Sequence, residues 1–133
     1  MTAEGLTASL SSRGPKETMD RLVAAVTSRG MTVLARIDHA AAAAKVGMEL
    51  RPTEVVLFGN PRAGTPLMQA AQTMGIDLPL KALVWQDADG RTWLAYSDPK
   101  WLARRHDALV GTERSLGAMA DALAAVAKEA TEA

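Results

Sequence analysis

The chain has no cysteine among its 133 residues. A disulfide framework, a thiolate zinc site, an iron–sulfur cluster and a cysteine nucleophile are therefore excluded within it. Neither sign of charge is in excess: Lys plus Arg and Asp plus Glu number 15 each, for a net charge of zero. Nucleic-acid binders draw much of their affinity from phosphate neutralisation and usually carry a basic surplus, so DNA or RNA is not expected as the main partner. Apolar stretches fall far short of the roughly 18–20 residues needed to cross a bilayer. Residues 1–14 (MTAEGLTASLSSRG) have neither the basic start nor the apolar core of a secretory signal. The expectation is a soluble cytoplasmic protein without membrane contact. Aromatic residues make up only 4% of the chain, yet all three tryptophans fall between Trp85 and Trp101.

What is present suits one ordinary core. Hydrophobic residues make up 48% of a length that fits one compact domain. The polar, small residues 1–14 read as a flexible N-terminus and residues 15–130 as a single domain. Met19, Leu22, Val23 and Val26 form a helical stripe, opened by Pro15 and stopped by Gly30. Met31, Val33, Ala35 and Ile37 alternate with Thr32, Leu34, Arg36 and Asp38, which predicts a strand with one buried face. Asp38 can cap a short alanine-rich helix through Ala40–Val46. Val55–Phe58 is a continuous apolar run, expected to form a central strand or one covered on both faces.

Thr65 followed by Pro66 reads as an N-cap and first helical residue, opening a helix that stops at Gly75. Leu80–Gln86 and Arg91–Tyr96 flank Asp87-Ala88-Asp89-Gly90. A three-residue hairpin loop with a bulge would place Trp85 opposite Trp93; a two-residue Asp-Gly loop would pair Trp85 with Leu94 instead. Ser97-Asp98-Pro99 opens another helix, with Ser97 as its cap. The last runs from about 113 to 130 on a stripe of Leu116, Met119, Leu123 and Val126. The sum is an α+β domain of about four strands, with at least one antiparallel pair.

Three parts of the chain are distinctive: Phe58-Gly59-Asn60-Pro61, Leu78-Pro79-Leu80-Lys81, and Tyr96 with Asp98-Pro99. With the sequence around them, from about residue 15 to 110, they resemble the bacterial and archaeal family known as domain of unknown function 302. The resemblance implies an α+β fold, a four-stranded antiparallel sheet with helices on it, and often a homodimer. It implies no reaction and no catalytic residues.

Residue chemistry suggests two sites. The stretch Asn60–Thr65 leads from a strand into a helix start, where backbone N–H groups can hold an anion. Arg62 adds a guanidinium fork, Thr65 a hydroxyl, and Gly64 a close approach to the backbone. Lys81 can add charge from the same end of the sheet. The spacing is not that of a phosphate-binding P-loop or a dinucleotide fingerprint. The alternative reading is that Asn60-Pro61 only turns the chain and Thr65 only caps the helix. The second candidate is His39, the best placed residue for reactive chemistry, with Asp38 to orient it. His39 and His106 are also the nitrogen ligands a haem or metal would need. They have no metal-binding spacing and lack a third ligand, so no metal site is expected and no cofactor is identified. The plainer reading of His106 is a charge complement to a helix C-terminus. The tryptophans can wall a pocket or form a dimer core. Three functions stay open: a small-ligand-binding or sensing domain, an enzyme or haem/metal protein using His39, and a structural homodimerisation module.

Overall fold

The structure, a computed structural model, describes residues 3–133. In chain order it runs β1 (Leu6–Ser11), α1 (Pro15–Ser28), β2 (Thr32–Asp38), α2 (His39–Lys45), β3 (Thr53–Gly59) and α3 (Pro61–Ala70). A 3₁₀ turn (Gln72–Ile76) follows, then β4 (Leu80–Gln86), β5 (Thr92–Ser97), α4 (Pro99–Arg105) and α5 (Glu113–Thr131). The strands form one antiparallel sheet in the order β1-β5-β4-β3-β2. The α+β class holds, with five strands where four were expected.

The additional strand is β1, which lies in the segment expected to be flexible; Met1 and Thr2 fall outside the described residues. Its sequence, LTASLS, has too few large apolar residues to announce a strand. Backbone pairing holds it, from Leu6 opposite Ser97 to Ser11 opposite Thr92. Both ends are tied as well. The Asp98 N–H donates to the Gly5 carbonyl at 2.8 Å, and the Ser12 N–H donates to the Thr131 carbonyl at 2.8 Å.

Helices α1 and α5 pack on each other and across one face of the sheet. Their stripes, Met19, Leu22 and Val26 on α1 and Leu116, Met119, Leu123 and Val126 on α5, are buried against Val56, Phe58, Val84 and Leu94. The hairpin takes the three-residue loop. Gly90 has φ +81°, the Asp87 N–H donates to the Arg91 carbonyl at 2.8 Å, and Trp85 stands opposite Trp93 with ring centroids 6.3 Å apart.

On the second face, register aligns Ile37, Val55, Leu83, Ala95 and Ala8 in one row across all five strands. A neighbouring row holds Trp85, Trp93 and Leu10. Strand β2 joins this face through a bulge. Val33 pairs with Phe58 but Ala35 pairs with Leu57, so Leu34 is an extra residue. One inserted residue exchanges the faces of a strand. The single buried face expected for Met31, Val33, Ala35 and Ile37 is therefore divided. Met31 and Val33 pack on the core, while Ile37 is 43% exposed.

Helix α3 begins five residues before the predicted start. Asn60 is its N-cap, with Oδ1 accepting from the Arg62 N–H at 3.0 Å; Pro61 takes the first turn and Pro66 lies inside the helix. Both Asn60-Pro61 and Thr65-Pro66 carry the cap-plus-proline signal. The earlier pair is placed directly where β3 ends, and its cap hydrogen bond forms. Asp98, not Ser97, caps α4, accepting from the Lys100 N–H at 3.0 Å.

Candidate functional site

One end of the sheet gathers the distinctive segments. There Thr32 starts β2 opposite Gly59, and Leu80 starts β4 opposite Phe58. An open groove of about 690 Å³ lies between this end, α3, the Leu78-Pro79 segment and α5. Its walls are mainly apolar: Met31, Leu34, Met68, Leu78, Pro79 and Met119. The bulge delivers Leu34 to this wall. Asn60, Thr65, Thr32 and Arg29 bring the polar groups. Gly64 is buried in the wall, and an added Cβ would stand 3.5 Å from Leu78 Cδ1. Arg29, the C-cap of α1, donates to Glu129 Oε1 at 3.1 Å.

The predicted site residues separate into three groups. Asn60, Gly64 and Thr65 line the groove. Arg62 is exposed and is not part of its lining, so the arginine the groove does contain is Arg29. The backbone donors of the α3 start are engaged internally: Arg62 N–H with Asn60 Oδ1, and the Ala63 and Gly64 N–H groups with the Asn60 carbonyl at 2.9 and 3.1 Å. Pro61 has no N–H to offer. Lys81 does lie at this end of the sheet, as expected, but it is exposed between the buried Leu80 and Ala82 and so leaves from the second face. Its Nζ donates to the carbonyls of Pro79 at 3.3 Å and Asp77 at 3.4 Å.

His39 is at the opposite end. It follows Asp38, which pairs with Glu54 at the start of β3, whereas Asn60 follows the end of that strand. Seven residues of strand separate the two positions by about 20 Å. The His39 ring is exposed, and Asp38 Oδ1 accepts from the Ala41 N–H at 2.9 Å as a helix cap. Among the described residues no three His, Asp or Glu side chains converge as a metal site requires.

The second histidine sits in a polar cluster. His106 Nε2 is 2.5 Å from Asp77 Oδ2, and His106 Nδ1 is 2.9 Å from Thr73 Oγ1. Arg105 Nη1 donates to both oxygens of Asp77, at 3.0 and 2.8 Å. The side chains of His106 and Asp77 are only 9% and 17% exposed. Partial burial pushes the Asp77 carboxyl upward, but the His106 hydrogen bond and the Arg105 charge outweigh it and hold the group below the usual carboxylate range. His106 does end α4, as its sequence position suggests, but its ring is bound to the 3₁₀ turn and Asp77. Nothing in the spacing of Thr73, Asp77 and His106 announces this meeting, which tertiary packing makes across 29 residues. The Asp at the foot of Leu78-Pro79 was the nearest signal, since loop ends beside a sheet often carry function.

Comparisons place this geometry among known proteins. The profile of the family described as "Domain of unknown function DUF302" matches residues 7–130, which includes all of β1 but Leu6. A "Fluoride-specific ion channel FluC 1" of Brucella suis biovar 1 (strain 1330) is 45% identical over 114 residues, 86% of this chain and 45% of that protein. The like-named protein of Brucella abortus biovar 1 (strain 9-941) is 45% identical over 114 residues, 86% of this chain and 42% of that protein. The chain spans less than half the length of these curated relatives. A solved structure, "Crystal structure of uncharacterized conserved protein DUF302 from Bacillus stearothermophilus", shares 21% identity with a TM-score of 0.84, over 96% of this chain and 99% of that one. That likeness shows the fold.

Proposed function

Because the chain belongs to the DUF302 family, whose description names no reaction, we propose its function from its own geometry: it is a small-ligand-binding or sensing domain. The groove at the Asn60–Thr65 end carries this reading. At about 690 Å³ it has the size of small-molecule sites, and it joins apolar walls to a few converging polar groups. The ligand that fits has an apolar body lying along Leu34, Met68 and Met119. Its polar or anionic end meets Thr65, Asn60 and Arg29.

The channel name of the curated relatives is not carried over. The chain covers under half of each, and among the described residues no helix is long and apolar enough to cross a membrane. A thermal-shift screen against metabolites tests the ligand reading, since a molecule that prefers the native state raises the melting temperature. Ala118 lines the groove from α5 and is exposed. Ala118→Trp is expected to fill the groove and abolish the shift; a hit that survives this substitution places the ligand elsewhere.

A specific observation also favours homodimerisation. The second sheet face carries the Ile37–Ala8 row and the Trp85–Trp93 stack, with Leu10 at 51% and Ile37 at 43% exposure on its edges. Apolar surface of this kind commonly marks an interface. The two readings are compatible, because the groove and this face lie on different sides of the sheet.

A further inference from the structure

We propose that Thr73, His106 and Asp77 form a nucleophile relay in which Thr73 Oγ1 accepts an acyl group from activated esters. None of the three lines the groove, so this activity is independent of the ligand reading. Asp77 as a carboxylate can only accept, so in the neutral form of His106 the ring proton lies on Nε2. That leaves the Nδ1 lone pair facing the Thr73 hydroxyl at 2.9 Å. A hydroxyl on a base, with the base oriented by a carboxylate, is the arrangement that activates serine-type nucleophiles on unrelated folds. Arg105 grips both oxygens of Asp77 and fixes the carboxylate that positions the ring. Exposure is graded to match. The His106 side chain is 9% exposed and shielded from reagents, whereas Thr73 is exposed to them.

In the step, Thr73 Oγ1 attacks the ester carbonyl. The Oγ1–C bond forms, and the bond between the acyl carbon and the leaving oxygen breaks. The Oγ1 proton passes to His106 Nδ1 and from there to the departing oxygen, which leaves with the bonding electron pair. Nothing is oxidised or reduced. Thr73 and His106 are the catalytic residues; Asp77 and Arg105 are positioning residues.

The full chain is mixed with p-nitrophenyl acetate. Nitrophenolate release is followed, and the acetylated peptide is located by mass spectrometry. A burst with one acetyl group on Thr73 is expected. Thr73→Val, at an exposed position, abolishes both, and Thr73→Ser retains them. His106→Gln slows the burst by roughly 100-fold, the scale of a lost general base. Unfolding midpoints of all variants are recorded, so that Thr73→Val decides the matter if His106→Gln fails to fold. A clasp that merely ties the 3₁₀ turn to α4 leaves Thr73 unlabelled. Absence of acetyl-Thr73, labelling of lysines or His39 alone, or a burst unchanged in Thr73→Val overturns the proposal.

Discussion

The indole of Trp101 lies against the backbone of Gly5, where an added Cβ would stand 2.3 Å from the ring atom Cδ2. Gly5 also has φ +76°, a conformation that costs a residue with a side chain about 1–2 kcal/mol. Gly5→Ala is therefore expected to suffer both strain and overpacking, about 2–5 kcal/mol together. Gly30 separates the two effects. Its φ is +77°, but nothing lies within 4 Å of an added Cβ. Gly30→Ala should lose only the conformational part, about 1–2 kcal/mol. Urea midpoints of the two variants check this. Equal losses would show that the Trp101 contact yields without cost.

The same contact shows why β1 was hidden from the sequence. Its strand is specified by what meets it, β5 alongside and α4 at its foot, and only weakly by its own apolar residues. The helices with strong stripes, α1 and α5, were legible because their burial is written at helical spacing. The hairpin was legible too, from Gly90 between two apolar runs, but its loop length, and with it the pairing of Trp85 with Trp93, was settled only by the register of β4 and β5. The division of β2 was not legible. Met31 to Ile37 alternates without a break, and the bulge at Leu34 appears only when β3 imposes its register. Asn60, Gly64 and Thr65, singled out at the junction between strand and helix, do line the groove. Arg29 in that lining, and the meeting of His106 with Thr73 and Asp77, were not legible, because residues far apart in sequence come together there through packing alone.

Asp77 gives the fold a pH dependence whose sign follows from its partners. Despite partial burial, the His106 hydrogen bond and the Arg105 charge depress its folded-state pKa. A depressed carboxylate contributes stability that is present above its unfolded value, about 3.9, and lost as pH falls through the folded value. Asp77→Asn is expected to cost about 1–3 kcal/mol at neutral pH, the scale of a charge-assisted hydrogen bond. The gap between variant and native protein should narrow as pH drops below about 4. Denaturant titrations across that range measure it. A gap that stays constant into acid would mean that the loss comes from packing and not from charge.

The groove makes Arg29 and Arg62 unequal. Arg29 is in its lining and Arg62 is not. For a ligand with an anionic end, Arg29→Ala is expected to weaken binding by about 1–3 kcal/mol. Arg62→Ala should leave affinity nearly unchanged. Calorimetric titration of a ligand found by thermal shift compares the two. The reverse result would move the ligand out of the groove to the exposed start of α3. Because Arg29 already donates to Glu129, Glu129→Gln should tighten binding of the same ligand by removing the negative charge that competes for the guanidinium.

The second sheet face predicts where a homodimer separates. Leu10 and Ile37 sit on the edge strands β1 and β2, exposed by 51% and 43%, so charging them leaves the core intact. Surface substitutions of this kind usually change monomer stability by no more than about 0.5 kcal/mol. A buried lysine without a partner inside an interface, by contrast, costs enough to dissociate it. Leu10→Lys and Ile37→Lys together are expected to convert a dimer into a folded monomer, with the melting profile retained at low concentration. Light scattering gives the mass directly. If the mass stays that of a dimer, the subunits meet through another surface. The Trp85–Trp93 stack is then a wall of the single chain, and its indole fluorescence should be the same at every protein concentration.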